Sequence, residues 1–182
     1  MKDEILEAMR DQASKIEQAA EQRRIELKEQ AEAKMLADSK SLIETEAFVH
    51  ASYSYIEEIG KEIQSMYGDY CDVFFNEKPE TLKKKHNNEK GKGIRIVTKE
   101  AERMGDRAST YFWISPGTSG VLCESKKLGP NLKPEFAVLK PAGQFLKNRL
   151  KGWAVETVVY FQTAIERTKS VSSIVGQNSA LQ

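Results

Sequence analysis

Cysteine and histidine are scarce in this chain. Its 182 residues include two cysteines and two histidines. Cys71 and Cys123 lie in separate apolar stretches, and no CxxC pair accompanies a histidine, so the sequence predicts no zinc site. His50 and His86 alone cannot build the histidine-based metal triad of a nuclease or relaxase. Both thiols are expected to be reduced and buried, as in a cytosolic protein.

Long apolar runs are also missing. No window approaches the ~18 uncharged apolar residues that a transmembrane helix needs. The first residues, MKDEILEAMRDQ, are charged throughout and lack the apolar stretch of a signal peptide. The sequence therefore predicts no membrane contact and a cytoplasmic location.

Catalytic motifs are a third absence. The chain contains no GxxxxGKS/T, GxSxG or HExxH motif. Paired carboxylates such as Glu57 and Glu58 stand where solvated charges are ordinary, and Gly91-Lys92-Gly93 is too short to cradle a phosphate. We expect a protein without enzymatic activity, cofactor or metal.

Glycine and proline are absent from residues 3–38, where Ala, Glu, Gln, Lys and Arg dominate. These residues are strong helix formers. Apolar side chains recur there with heptad-like spacing. We expect residues 1–40 to form an extended, coiled-coil-like arm that joins copies of the chain into a homo-oligomer; a solvated single helix is the alternative. The seam consists of Leu6, Met9, Ala13, Ile16, Ala20, Leu27 and Ala31, with Arg23 and Gln30 at seam positions between them.

A second helix is predicted over residues 42–67. Ser41-Leu42-Ile43-Glu44 has the form of a capping box, in which two side chains bind the free N–H groups at the start of a helix. Apolar residues then recur every four positions from Ile43 to Tyr67, and Gly68 marks the end.

The rest of the chain predicts a small sheet and a closing helix. Residues 70–75 fit either a strand or a helix extension, and the basic segment 76–93 is typical of a loop. Three antiparallel strands, a helix and a disordered tail complete the α+β domain over 41–171. The strands are expected at about 94–99, 110–114 and 121–125, the helix at 141–171 and the tail at 172–182. The predicted fold class is α+β, with long N-terminal helices, a three-stranded antiparallel sheet and a C-terminal helix.

Charge divides the chain into two halves of opposite sign. Residues 1–80 carry 19 acidic and 10 basic residues, a net charge of −9, whereas residues 81–182 carry 8 acidic and 18 basic residues, a net charge of +10. Clustered lysine and arginine indicate contact with nucleic acid, because displacing counterions from phosphates supplies most non-specific affinity. The alternatives are that the halves attract each other, or that the lysine-rich loops are solvated.

Basic residues cluster around the predicted strands and the last helix. Lys83, Lys84 and Lys85 lie in a segment without an apolar anchor and suit phosphates, whereas strand residue Arg95 is positioned for a bidentate contact. Tyr111 and Trp113 are expected to fill the sheet–helix core rather than stack on bases. The candidate nucleic-acid-binding residues are Lys83, Lys84, Lys85, Lys90, Lys92, Arg95, Lys99, Arg103, Arg107, Lys126, Lys127, Lys147, Arg149 and Lys151, with Lys133 marking the second basic loop.

Four segments between residues 93 and 170 resemble the MobI family of conjugative-transfer accessory proteins. They are GIRIVTK (93–99), STYFWI (109–114), VLCESKKLG (121–129) and LKGWAVETVVYFQTAIERTKS (150–170). The long acidic segment 1–40 and the insert at 99–109 depart from that pattern. The resemblance implies a cytoplasmic helper that acts at the origin of transfer of a plasmid or integrative element, beside a relaxase, and it implies no catalytic residues.

Two functions follow from the sequence as hypotheses. The first is a non-enzymatic DNA-binding accessory protein. The second is an oligomeric coiled-coil scaffold that binds an acidic protein partner without nucleic acid. A phage or secretion scaffold shares the long-helix signal.

Overall fold

The computed structural model describes residues 2–79, 82, 90–99, 108–129, 132–140 and 142–179. Along the chain, one long helix precedes five strands and a second long helix follows them. The elements are α1 (Lys2–Tyr67), β1 (Cys71–Phe75), β2 (Lys92–Thr98), β3 (Ser109–Ser115), β4 (Val121–Lys126), β5 (Glu135–Leu139) and α2 (Ala142–Ser179).

The strands form one antiparallel sheet in the order β1-β2-β3-β4-β5. The α+β class, the long N-terminal helix and the C-terminal helix agree with the sequence analysis, but the predicted number of three strands is wrong. The three predicted strands correspond to β2, β3 and β4. The ambiguous run at 70–75 contributes β1, and the residues after Pro134 contribute the edge strand β5.

The two faces of the sheet differ because successive side chains of a strand point in opposite directions. Ile94, Ile96 and Phe112 lie on the face that joins the main core with both helices. The opposite face, called the outer face below, includes Arg95 on β2, Tyr111 and Trp113 on β3, and Glu124 and Lys126 on β4.

Both helices contribute buried side chains to the core. From α1 come Val49, Ile56, Ile63 and Tyr67, and from α2 come Leu146, Leu150, Trp153 and Phe161. The rings of Tyr67 and Phe161 stack with centroids 5.2 Å apart. Trp153 donates its indole N–H to Thr110 Oγ1 over 2.8 Å, so α2 is fixed to β3 by a buried hydrogen bond as well as by apolar contact.

Helix α1 is continuous from Lys2 to Tyr67, so the prediction that a capping box at Ser41 begins a second helix is wrong. The Ser41 hydroxyl instead donates to the carbonyl of Thr118 over 2.8 Å. Thr45 Oγ1 lies 3.1 Å from the carbonyl oxygen of Gly117 and 3.0 Å from those of Ser41 and Leu42. The two hydroxyls therefore contact the turn between β3 and β4. Residues 41–44 match a capping box in sequence, but strong helix formers on both sides favour one continuous helix.

Helix α2 continues to Ser179, beyond the predicted end at 171 and into the segment 172–182 that was expected to be disordered. Val171, Ile174 and Val175 continue the helical spacing, and the segment contains no proline. Helix α2 begins at Ala142, one position after Pro141. Residues 180–182 lie outside the described residues.

The chain divides into two compact units, Met1–Lys40 and Ser41–Gln182. The sheet and the core belong to the second unit. In the first unit, every side chain from residue 5 to 37 is exposed. Across the residues that the structure describes, neither helix has a stretch long and apolar enough to span a bilayer.

Candidate nucleic-acid interface

The outer face brings two of the predicted cations into one row. The register aligns Arg95 with Tyr111, and Tyr111 with Lys126. Because neighbouring strands lie about 4.8 Å apart, the Cα atoms of Arg95 and Lys126 are separated by about two strand spacings. Both residues alternate with core positions, so their side chains share the face that lies opposite the helices.

A second apolar cluster covers the middle of the outer face. It consists of Leu82, Tyr111 and Trp113, and each of the three is at most 4% exposed. The prediction that the two aromatics fill the sheet–helix core is therefore wrong about the side of the sheet. Their burial removes them as platforms for base stacking, which requires an accessible ring face.

Leu82 also corrects the expectation that the lysine run 83–85 has no apolar anchor. It is 2% exposed, packs in the outer-face cluster and directly precedes Lys83 in the sequence. Lys83, Lys84, Lys85, Arg103 and Arg107 themselves lie outside the described residues.

Glu124 is a buried carboxylate on the outer face that the sequence analysis did not single out. It is 5% exposed and accepts a hydrogen bond of 2.6 Å from the hydroxyl of Tyr111. Its position in β4, between the core-facing Cys123 and Ser125, was a signal that it points to the opposite face.

Arg95 is held by groups of its own chain. Its Nη2 forms an ion pair with Glu77 Oε1, and its guanidinium carbon lies 4.6 Å from the centroid of the Phe74 ring. Among the residues that the structure describes, the buried Nε atom has no hydrogen-bond partner. A bidentate contact of Arg95 with DNA therefore requires it to exchange Glu77 for the nucleic acid.

Five of the predicted cations form ion pairs with carboxylates of the same chain. Three of these pairs join the basic half to the acidic half, which supports the alternative that the halves attract each other. The pairs are Lys90–Glu46 at 2.7 Å, Arg95–Glu77, Lys99–Asp72 at 3.6 Å, Lys127–Glu156 at 3.0 Å with Lys127–Glu135 at 3.4 Å, and Arg149–Glu135 at 3.5 Å.

The pairs of Lys127 and Arg149 surround a cavity of about 160 Å³ between β4, β5 and α2. Hydrogen bonds to Glu156 and then to Glu135 raise the pKa of Lys127. Two cations and two carboxylates share this cavity, so it offers no excess of positive charge to a phosphate.

The other four predicted cations, Lys92, Lys126, Lys147 and Lys151, form no ion pair among the residues that the structure describes. Lys92 Nζ lies 5.8 Å from the centroid of the Tyr53 ring, and Lys147 Nζ lies 5.8 Å from that of Tyr55. Lys126 belongs to the outer face, whereas Lys147 and Lys151 are exposed on α2. The predicted set therefore divides among separate surfaces.

The thiols do not form a reactive site. Cys71 and Cys123 are free and buried, and desolvation raises the pKa of each to about 11. Both therefore stay protonated near neutral pH, and a protonated thiol is a poor nucleophile and metal ligand. Within the described ranges, no group of three or more His, Cys, Asp or Glu side chains is arranged to hold a metal ion.

Comparisons with protein-family models, curated proteins and solved structures found no match to this chain.

Proposed function

We propose that this protein is a non-enzymatic DNA-binding accessory protein whose outer face meets the phosphate backbone. The observation that carries the proposal is the position of Leu82. It packs against Tyr111 and Trp113 on the face that also bears Arg95 and Lys126, and three consecutive lysines follow it in the sequence.

The chemistry of the outer face favours backbone contact over base recognition. Lysine ammonium groups are point charges that bind phosphates without strict geometry. The aromatic side chains are buried, and Arg95 already has a carboxylate partner. We therefore expect affinity to depend mainly on charge, with Arg95 contributing sequence preference only where DNA displaces Glu77.

The resemblance to the MobI family makes the proposal more specific. In that role the protein works in the cytoplasm at the origin of transfer of a mobile element, beside a relaxase. The proposal for the N-terminal unit is that it joins copies of the chain into a homo-oligomer. Linking several DNA-binding surfaces in this way raises the effective concentration of the second surface on the same DNA.

The second candidate is an oligomeric scaffold that binds an acidic protein partner. The ion pairs on the basic half favour it, because these cations already bind carboxylates. An acidic partner would exchange its carboxylates for those of Glu77 or Asp72.

The test is fluorescence anisotropy of a labelled DNA duplex with the full-length protein. Replacing Lys83, Lys84 and Lys85 with alanine should weaken binding equally on unrelated sequences and reduce the slope of log affinity against log salt by up to about 3. The matched control replaces Lys15, Lys28 and Lys61, which are exposed lysines of the acidic half, and should leave affinity nearly unchanged. Equal losses in both triple variants would contradict the proposed surface.

A further inference from the structure

The exposed seam of α1 has a pattern that distinguishes parallel from antiparallel self-association. Its apolar members are open to solvent, with Leu6 42%, Met9 64%, Ile16 61% and Leu27 67% exposed. Spacings of alternately three and four residues place these side chains on one stripe, together with Ala13, Ala20, Arg23 and Gln30. Among the described residues, the stripe is covered by no part of the same chain.

A parallel, in-register dimer matches this stripe badly. In that arrangement each seam residue faces its own copy, so Arg23 would face Arg23 of the second copy. Like charges brought together in a partly desolvated seam repel each other. Ala13 and Ala20 would also face their own copies and leave the seam underfilled between the larger side chains.

The antiparallel arrangement replaces these contacts between identical residues with contacts between different ones. We propose that α1 pairs with α1 of a second copy of this chain in antiparallel orientation, in the register that sets Ile16 against Leu27 of the second copy. This proposal rests on the self-association suggested above and adds its direction and register.

In this register small seam residues face long ones. Ala20 faces Arg23 of the second copy, and Ala13 faces Gln30. A small partner leaves room for the long aliphatic stem to cover the seam while its polar end reaches water. Ile16 of each copy contacts Leu27 of the other copy. This contact therefore occurs twice, once on each side of the centre of the paired helices, and two-fold symmetry makes the two contacts equivalent.

Flanking charges favour the same register. Glu17 and Arg24 both follow a seam position, and in the antiparallel pair Glu17 lies beside Arg24 of the second copy. Both side chains are exposed in the single chain, and within the described ranges the one ion pair of Arg24 is a long intrahelical pair with Glu21 at 3.9 Å. The parallel dimer would instead bring Glu17 beside Gln12, and Arg24 beside Ala19, with no pairing of opposite charges.

Disulfide formation between mixed single-cysteine variants tests the register in the full-length protein. Ile16→Cys and Leu27→Cys are prepared separately and oxidised, alone and mixed, at pH 7.5. The native thiols are an acceptable background because both are buried with a pKa of about 11, and the unsubstituted chain is the control. The proposal predicts a cross-linked dimer in the mixture and little in either variant alone.

Each other outcome overturns the register. Cross-linking of each variant with itself indicates the parallel dimer. A dimer in sedimentation without any cross-link indicates another interface, and a monomer at tens of micromolar rejects self-association through α1. DNA binding is measured independently, so failure here leaves the proposed DNA-binding surface testable. As a second readout, Glu17→Arg or Arg24→Glu alone should weaken dimerisation about two- to tenfold, and the double variant should restore it.

Discussion

At the scale of single residues, Trp113 explains two glycines of the GKG sequence. A Cβ atom built on Gly93 would lie 2.7 Å from Trp113 Cε3, and one built on Gly91 would lie 3.0 Å from Trp113 Cε2. The indole therefore rests directly on the backbone of β2 and its approach. In the sequence alone these glycines indicate a loop, because the contact with Trp113 joins residues that are adjacent only through the strand register.

Gly93→Ala is expected to destabilise the protein by about 1–3 kcal/mol, because the added methyl group overlaps the ring of Trp113 and the β3 backbone. Gly152→Ala is the matched control. A Cβ there meets nothing within 4 Å, so alanine in this helix should stabilise by about 0.5–1 kcal/mol. Urea unfolding followed by circular dichroism measures both, and a neutral Gly93→Ala would contradict the close contact.

The charged residues show the limit of prediction at the same scale. Arg95 was correctly expected to alternate with Ile94 and Ile96, since alternation is a local property of a strand. Its partner Glu77 was not foreseen, because that pair joins β2 to a segment without regular structure. Pattern analysis identifies which residues are basic, but it does not say which of them already have a carboxylate partner.

At the scale of elements, α1 shows that a capping sequence at Ser41 does not by itself begin a new helix. Capping residues stabilise a helix end by about 1 kcal/mol, which is small beside the cost of breaking a helix between good helix formers. Ser41 is used for another contact, the hydrogen bond to the β3–β4 turn.

Leu42→Pro tests this continuity. If a helix began after Ser41, proline at the first helical position would be tolerated. In the continuous α1, the substitution removes a backbone hydrogen bond inside the helix and should cost about 3 kcal/mol or more. Leu42→Ala controls for the lost side chain and should cost less. Equal unfolding midpoints for the two variants would contradict the continuous helix.

The run at 70–75, which was left open between strand and helix, forms β1, and β5 was not predicted; both lie at the edges of the sheet. Both are five residues long, which is too short for periodicity to separate a strand from a helix. β1 is defined by its pairing with β2, and β5 by its pairing with β4, so both depend on partners distant in the sequence. The central strands were predictable because each carries its own apolar or alternating pattern.

At the scale of the whole molecule, the two oppositely charged halves form ion pairs with each other, but not every basic residue takes part. Lys90, Arg95 and Lys99 form pairs with the acidic half, whereas Lys126, Lys147 and Lys151 have no such pair within the described ranges. The sequence identified which residues are basic, and their role in binding stays a prediction. It did not predict how folding distributes them, since that distribution follows from the sheet register and the position of α2.

The salt dependence of DNA affinity tests the central claim most directly. The outer face bears Arg95 and Lys126, and three lysines follow Leu82 in the sequence. If each of the five neutralises one phosphate, about five phosphates are contacted. On duplex DNA this predicts a slope of log affinity against log salt of about −4.5, or a loss of several hundredfold between about 50 and 200 mM salt. A full-length protein that shows no binding at about 50 mM salt, or a slope near zero, would contradict the claim and favour the acidic protein partner.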